Sequence, residues 1–483
     1  MNLPEKKTKI VCTMGPASDS PEIMRQMIDA GMDIARLNFS HGDAAAHKGI
    51  VARLRAVSSV AKHGIAIMAD LPGPKMRIGA IVPEPVMLKP RDRFTLTASP
   101  VAGDQSRVSV SFPRLPQVVK PGDTLYLNDG FIQLEVTEVR GEDVICTVRV
   151  GGELRSRKGL NLPGIDLGLR AFTDRDREWL KIAKDLGVDA VSQSFVESRE
   201  DMEAVRKAAA DLGYYPFLIA KIERSRALAQ IDGILEASDG LMIARGDLGV
   251  ETPIEEIAVV QKQLMRKTNL LGKPVITATQ MLESMTDNPR PTRAEATDVA
   301  NAILDGTDGV MLSGESATGK YPVEAVAMLA RIARSIEPHR PAHSVRETLK
   351  SISFGKEINA GDLISLSVEA ALQRMDLAAA VIPSRSGATA RRLARLRLPV
   401  WIAAISASES TCQGLRFSYG VDPVHEPEDP EDWGAYAREW VRVRGLEGKI
   451  VILIQGPSAK HPEVNHRLEI IDLTPTVERS KGI

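Results

Sequence analysis

From residue 8 to 71, and again from residue 173 to 336, short apolar runs alternate with amphipathic helical stretches. Alternation of this kind restricts the chain to parallel strands with helices packed outside them. Lys9–Thr13, Asp33–Ser40 and Ile65–Leu71 read as strands, and Pro21–Ala30 and Asp43–Lys62 as helices. Ser20 is placed to cap the first helix, Pro21 to start it and Gly31 to end it. After the interruption, strands are expected at Asp189–Phe195, Phe217–Ala220, Leu241–Ala244, Pro274–Thr279 and Gly309–Ser313. The helices between them read as Asp174–Leu186, a segment capped by Ser198 and running to Gly213, Pro253–Leu271, one from Thr292 or Arg293 to Leu304, and Pro322–Ile336. Ile257, Val260, Leu264 and Leu271 share one face of the Pro253–Leu271 helix. The strands number eight, which closes a (β/α)8 barrel.

Between residues 72 and 169 helical periodicity disappears. Short alternating runs such as Arg93–Thr97, Val108–Val110, Thr124–Leu127, Gln133–Val136 and Val144–Val148 take over, separated by turns such as Lys120-Pro121-Gly122-Asp123. This predicts an all-β module, a small β-barrel, inserted after barrel strand three on the rim where barrel enzymes keep their chemistry, so it is placed to act as a lid. The polar stretch Glu337–His343 reads as a linker. Residues 344–483 read as an α/β domain with a helix at Asp362–Met375, strands at Ala379–Ile382, Val400–Ala404, Ile450–Ile454 and Leu468–Ile471, and an acidic loop at Glu426–Asp432. The expected division is 1–71 with 170–343 for the barrel, 72–169 for the insert and 344–483 for the last domain.

Lys+Arg 62 against Asp+Glu 63 leaves a net charge of −1, which argues against a nucleic-acid or membrane-surface binder. Cys12, Cys146 and Cys412 are far apart and form no CxxC pair, so a reducing compartment fits. With no apolar leader after Met1 and no apolar run of membrane length, the expected location is the cytoplasm.

The chemistry concentrates in residues 215–251. One apolar run ends in Lys221-Ile222-Glu223, the next in Arg245-Gly246-Asp247. Charges at the ends of buried strands need a partner, a ligand or water. Glu223 and Asp247 suit a hard cation such as Mg²⁺; an ordinary salt bridge of Lys221 to Glu or Asp explains the segment equally well. The other strand ends add weight. Strand two supplies Arg36, Asn38, Ser40 and His41, and strand three supplies Asp70 and, past it, Arg77. Strand seven supplies Thr279 and Gln280, and strand eight Ser313, Gly314 and Glu315. Such a rim suits a divalent metal with a small phosphorylated or carboxylated anion, and the Gly246–Gly249 turn offers backbone N–H groups to an anion.

At this point the chain resembles the pyruvate kinase family, along nearly its whole length. The motifs that carry the resemblance are TKIVCTMGPAS (8–18), ARLNFSHG (35–42), GPKMRIG (73–79), KGLNLPG (158–164), AKIE (220–223) and ARGDLGVE (244–251), followed by ATQMLESM (278–285), RPTRAEATDVANAILDGTDGVMLSGESA (290–317) and YPVEAV (321–326). The resemblance implies Mg²⁺ (with Mn²⁺ as a substitute) on Glu223 and Asp247, and phosphoenolpyruvate with its carboxylate on the backbone of Gly246 and Asp247. It implies that Lys221 and Arg36 neutralise the transferring phosphoryl group, as phosphoryl transfer requires. Transfer to ADP gives ATP and leaves enolpyruvate, with Thr279 and Ser313 positioning or relaying the proton that makes pyruvate. Arg36, Asn38, His41, Arg77 and Lys158 are implied for the nucleotide, and a homotetramer for the assembly.

Two departures stand out. Members that require K⁺ usually have Thr, Lys, Glu and Thr where this chain has Leu71, Pro72, Lys75 and Ile78, and their K⁺ is held by groups matching Asn38, Ser40, Asp70 and the carbonyl of Leu71. Lys75 is expected beside Asp70 in place of the ion, because two positive charges about 4 Å apart cost ~4 kcal/mol at an effective dielectric near 20. The chain thus resembles the K⁺-independent branch. In the last domain, the loop Ser384, Arg385, Ser386, Gly387 with Thr389 resembles the family's allosteric sugar-phosphate site, but the facing stretch Gly456–Asn465 lacks the usual Gly/Thr-rich character. A monophosphorylated effector is expected rather than fructose 1,6-bisphosphate. Two other readings compete: a Mg²⁺-dependent lyase or aldolase acting on pyruvate enolates, which would need neither Lys221 nor ADP, and a silent metabolite-binding paralogue.

Overall fold

The structure is a computed structural model that describes residues 3–61, 64–340, 360–372, 374–456 and 466–474. The eight expected strands are present: β1 (Lys9–Thr13), β2 (Ile34–Asn38), β3 (Ala66–Leu71), β4 (Ala190–Gln193), β5 (Phe217–Ile222), β6 (Gly240–Ala244), β7 (Val275–Ala278) and β8 (Gly309–Leu312). They form a closed barrel in sequence order, every pair parallel, with β8 returning to β1. Both faces of the strands are apolar because the helices cover the outside. Ile10, Ile67, Leu218 and Ile243 pack outward into the large helix-facing core, while Val11, Met68, Ile219 and Met242 fill the barrel interior.

Local signals act as the sequence implies. Ser20 caps the helix Pro21–Ala30 by accepting from the Ile23 N–H, and Gly31 ends it in the left-handed conformation at φ +118°. Thr173, Ser198 and Thr292 each form a reciprocal capping box with the acidic residue three positions on. The expected helix Pro253–Leu271 is instead a 3₁₀ turn, Ile254–Glu256, followed by a helix over Ile257–Leu270. Leu271 is not part of its buried face, being 52% exposed at the cap.

The insert folds into a six-stranded sheet, with a two-stranded ribbon and one helical turn at Leu115–Val118. Single bridges from Arg77 to Gly159 and from Ile78 to Val110 join the two edges of the larger sheet, and its apolar side chains form a separate core. The last domain is a five-stranded sheet in the spatial order Val421–His425, Trp401–Ser406, Leu377–Pro383, Ile450–Gln455, Arg467–Asp472, with only the last strand antiparallel. Residues Glu337–Arg340 are not the free linker expected of them. Glu337 accepts the Lys7 and Thr8 N–H groups, and Arg340 stacks on Tyr419 with 4.2 Å to the ring centroid. The remainder of the expected linker lies outside the described residues. Cys12, Cys146 and Cys412 are all free and buried. Among the described residues no helix is long and apolar enough to cross a membrane.

Candidate functional site

Parallel register brings the polar ends of the strands to one level. Asn38 lies opposite Asp70, and Asp70 opposite Ser192. A cavity of about 100 Å³ opens there. Arg36, Asn38, Ser40, Asp70 and Lys75 line one side of it; Lys221, Glu223, Asp247, Thr279 and Ser313 line the other. A larger cavity of about 690 Å³, bordered by Lys6, Gly31 and Arg334 at the opposite end of the barrel, carries none of these groups.

The charges are buried and therefore paired. Lys221 Nζ lies 2.8 Å from Glu223 Oε1 and 3.2 Å from Asp70 Oδ2, and donates to Ser194 Oγ at 2.7 Å. The salt bridge that competed with a metal site in the sequence is thus formed. Arg36 donates from Nε to Asp70 Oδ2 at 2.8 Å and from Nη1 to Thr13 Oγ1 at 2.8 Å, while Ser192 Oγ donates to Asp70 Oδ1 at 2.9 Å. Burial would raise the Asp70 pKa, but Lys221, Arg36 and these hydrogen bonds carry it below the usual carboxylate range. Burial would lower the Lys221 pKa, and the Asp70 and Glu223 carboxylates outweigh it and raise it. Glu223 moves the other way. Burial pushes it up, Lys221 opposes, and the charge of Asp247 adds to the rise. Two carboxylates repelling across a buried cleft are the electrostatic condition that a cation relieves.

Lys75 departs from expectation. It lines the cavity, but its carboxylate partner is Asp247, at 3.8 Å, and not Asp70. Asp70 is already engaged by two cations, and the Leu71 carbonyl accepts from the Ser194 N–H at 3.4 Å. The Gly246 N–H, expected to face an anion, donates to Thr279 Oγ1 at 2.6 Å. Thr279 itself adopts φ +71°, and Gln280 φ +53°. A β-branched residue in that region is strained, and such strain concentrates at functional sites. Ser313 donates its N–H to Glu315 Oε2 at 2.7 Å, so Glu315 braces the strand end from within.

Of the nucleotide candidates, Arg36 and Asn38 line the cavity, while His41, Arg77 and Lys158 lie outside its lining. His41 is exposed; partial desolvation, then Arg77, Lys75 and Arg36, hold its pKa below the ordinary value, with Arg77 the strongest influence among the three cations. Arg77 donates to the Arg157 carbonyl at 3.0 Å, and the Lys158 carbonyl accepts from Ile78. Both therefore belong to the seam where the insert closes on itself. Sequence reasoning missed Thr13, Ser192, Ser194 and Phe195. The last, at φ +60°, donates its N–H to Glu223 Oε2 at 2.9 Å. The signal was the polar run Ser192-Gln193-Ser194 at the end of a strand otherwise apolar.

In the last domain, Ser384 Oγ accepts from the Gly387 N–H at 2.9 Å, and Gly387 sits at φ +74°. Ser386 and Arg385 are exposed and Thr389 is half-buried. The stretch expected to face them lies, apart from Gly456, outside the described residues.

Comparison with known proteins decides the family. Residues 5–326 match the family model for the pyruvate kinase barrel domain, and residues 362–471 that for the pyruvate kinase alpha/beta domain. The chain belongs to the pyruvate kinase family. A pyruvate kinase of Thermococcus litoralis is 49% identical over 428 residues, covering 88% of this chain and 89% of the relative. Pyruvate kinases of Clostridium acetobutylicum and Geobacillus stearothermophilus are 41% and 43% identical, covering 87% and 88% of this chain and 88% and 72% of those proteins. Members of the pyruvate kinase family are phosphotransferases, and the barrel with its C-terminal α/β domain is the fold those models describe.

Proposed function

We propose that the chain transfers the phosphoryl group of phosphoenolpyruvate to ADP, giving pyruvate and ATP as the last step of glycolysis. The observation that carries this reading is Lys221, buried between Asp70 and Glu223 at the wall of a cavity shared with Arg36, Asp247 and Thr279. Its charge is held by its neighbours, so it meets a phosphoryl group as a fixed cation. Arg36, anchored by Asp70 and Thr13, presents a second.

Glu223 and Asp247 are the residues that would hold Mg²⁺, or Mn²⁺. No group of three or more His, Cys, Asp or Glu converges among the described residues, so two carboxylates would leave the remaining positions to substrate and water, as Mg²⁺ prefers. Bound there, the ion would supply charge for the phosphoryl and enolate oxygens. The substrate carboxylate would meet the backbone at Gly246 and Asp247 once Gly246 releases Thr279. Thr279 and Ser313 would then be free to position or relay the proton at the enolate carbon. Asn38, His41, Arg77 and Lys158 would take the nucleotide, the last two from the insert.

K⁺ is not required in this reading. Asp70 already carries Arg36 and Lys221, and Lys75 adds a further ammonium at Asp247. The loop Ser384–Thr389 would bind a singly phosphorylated effector, with the assembly a homotetramer in the cytoplasm. Pyruvate formation that depends on both ADP and Mg²⁺ tests the reaction. Formation without ADP would instead indicate a lyase.

A further inference from the structure

Arg224 follows Glu223 directly but serves other elements. Its side chain is 2% exposed. Nη2 donates to the Ile165 carbonyl at 2.9 Å and the Leu162 carbonyl at 3.3 Å, both where the insert returns to the barrel. Nε lies 3.0 Å from Glu197 Oε1 and 3.6 Å from Glu251 Oε2. Glu251, also 2% exposed, closes the helix Arg245–Glu251 whose first turn holds Asp247. Burial raises the Glu251 pKa, and the Arg224 charge with the backbone N–H groups of Ser225 and Gly164 opposes that rise. Gly164 sits at φ +70°, where a side chain would be strained, so the returning segment is shaped to reach this point. The neighbouring residue Val250 meets the insert again: a Cβ on Gly130 would stand 3.2 Å from it.

We propose that Arg224 and Glu251 are positioning residues for the reaction: a buried node that fixes the outgoing hinge of the insert, residues 162–166, to the two elements bearing Glu223 and Asp247. A buried ion pair is weak evidence for stability, since apolar residues of similar volume commonly serve as well. What this pair supplies is direction. Nη2 holds two hinge carbonyls while Nε faces Glu197, so the hinge cannot shift without breaking both backbone bonds of a buried cation. The backbone of Arg224 is continuous with Glu223, and that of Glu251 with the helix of Asp247. Orientation of the insert is thereby tied to the spacing of the two carboxylates, and displacements of about 1 Å at a reacting centre cost on the order of 10²-fold. Arg226, which bonds Asp166 and Glu197 at the exposed edge of the same hinge, makes no contact with Glu251 and serves as the control.

The inference rests on the phosphotransferase reading, and its test separates the two. Arg224→Met, Glu251→Gln, the double variant and Arg226→Gln are compared with the parent for kcat, for KM of phosphoenolpyruvate and ADP, and for amide exchange over residues 160–168. Each single variant is expected to lose kcat by about 30-fold with KM for phosphoenolpyruvate changed by less than about threefold, and to exchange faster at the hinge. The double variant should resemble the singles, because one node cannot be broken twice. Arg226→Gln should stay within about twofold of the parent. Folded single variants with parental kcat, or losses that multiply in the double, overturn the proposal. If Arg224→Met does not fold, Arg224→Lys keeps the charge without the planar group that reaches the hinge through Nη2 and Glu197 through Nε together. Reduced kcat at an unchanged melting temperature supports the node, and unchanged kcat refutes it. If the parent itself shows no turnover, the function is wrong, and hinge exchange alone decides the node: faster supports it, unchanged refutes it.

Discussion

At the barrel rim, Arg36, Asp70, Lys221 and Glu223 are all less than 10% exposed and bonded to one another. At the end of the last domain's strand Leu377–Pro383, Arg385 and Ser386 of the loop Ser384-Arg385-Ser386-Gly387 are exposed, and the Ser384 hydroxyl caps the loop's own backbone. Both sit past the C-terminal ends of parallel strands, and both are candidates for phosphate. Burial makes the difference. A buried cation held by two carboxylates cannot reorient freely, so its field is aimed before substrate arrives. Hydroxyls that bond their own loop give it up at little cost, which suits reversible control rather than chemistry. The first arrangement should be intolerant of change and the second permissive.

The largest expected break of this contrast is Lys221→Met. Phosphoryl transfer should fall by about 10³-fold or more, while proton exchange at the methyl group of pyruvate persists. Loss of both activities, or of neither, would contradict the role. Because Asp70 and Glu223 lose a buried partner, the variant should also lose about 3 kcal/mol of stability, read by chemical denaturation. Thr279→Ala should follow, at about 10²-fold in kcat, since it removes the hydroxyl at the cavity wall and the β-branch at a strained position. A variant with parental kcat would show that the strain is incidental. Next is regulation: Ser386→Glu should abolish the response to a monophosphorylated sugar or nucleotide, because a carboxylate occupies the anion's place. A response retained in full would remove the loop from the account. The smallest effect expected is that of potassium. Activity in buffer free of K⁺ and Na⁺ should lie within about twofold of that with K⁺, given the cations already fixed around Asp70 and Asp247. A tenfold requirement would show that Lys75 does not substitute for the ion.

Much of this was legible in the amino-acid order, for identifiable reasons. The barrel strands are continuous apolar runs closed by charged residues, and the helices carry strong caps, so β1 and the helices Pro21–Ala30 and Pro322–Ile336 match their expected bounds. The strand Val421–His425 escaped notice because Pro423 interrupts it; it is an edge strand, where proline is tolerated. The helices Glu409–Leu415 and Trp433–Arg444 were missed beside it. At the site, residue types at strand ends gave the members but not the pairing. Lys75 lies in a loop, and its choice of Asp247 over Asp70 follows from the path of that loop. The left-handed backbone at Thr279 and Phe195 is likewise set by tertiary packing, since neither residue favours it locally.

The central claim is that this rim moves a phosphoryl group between two bound substrates. The most direct measurement is the stoichiometry of the purified chain acting on phosphoenolpyruvate with Mg²⁺ in K⁺-free buffer, with and without ADP. One ATP is expected for each pyruvate formed, and no pyruvate without ADP. Pyruvate released without ATP, or no turnover with both substrates and metal present, would contradict it.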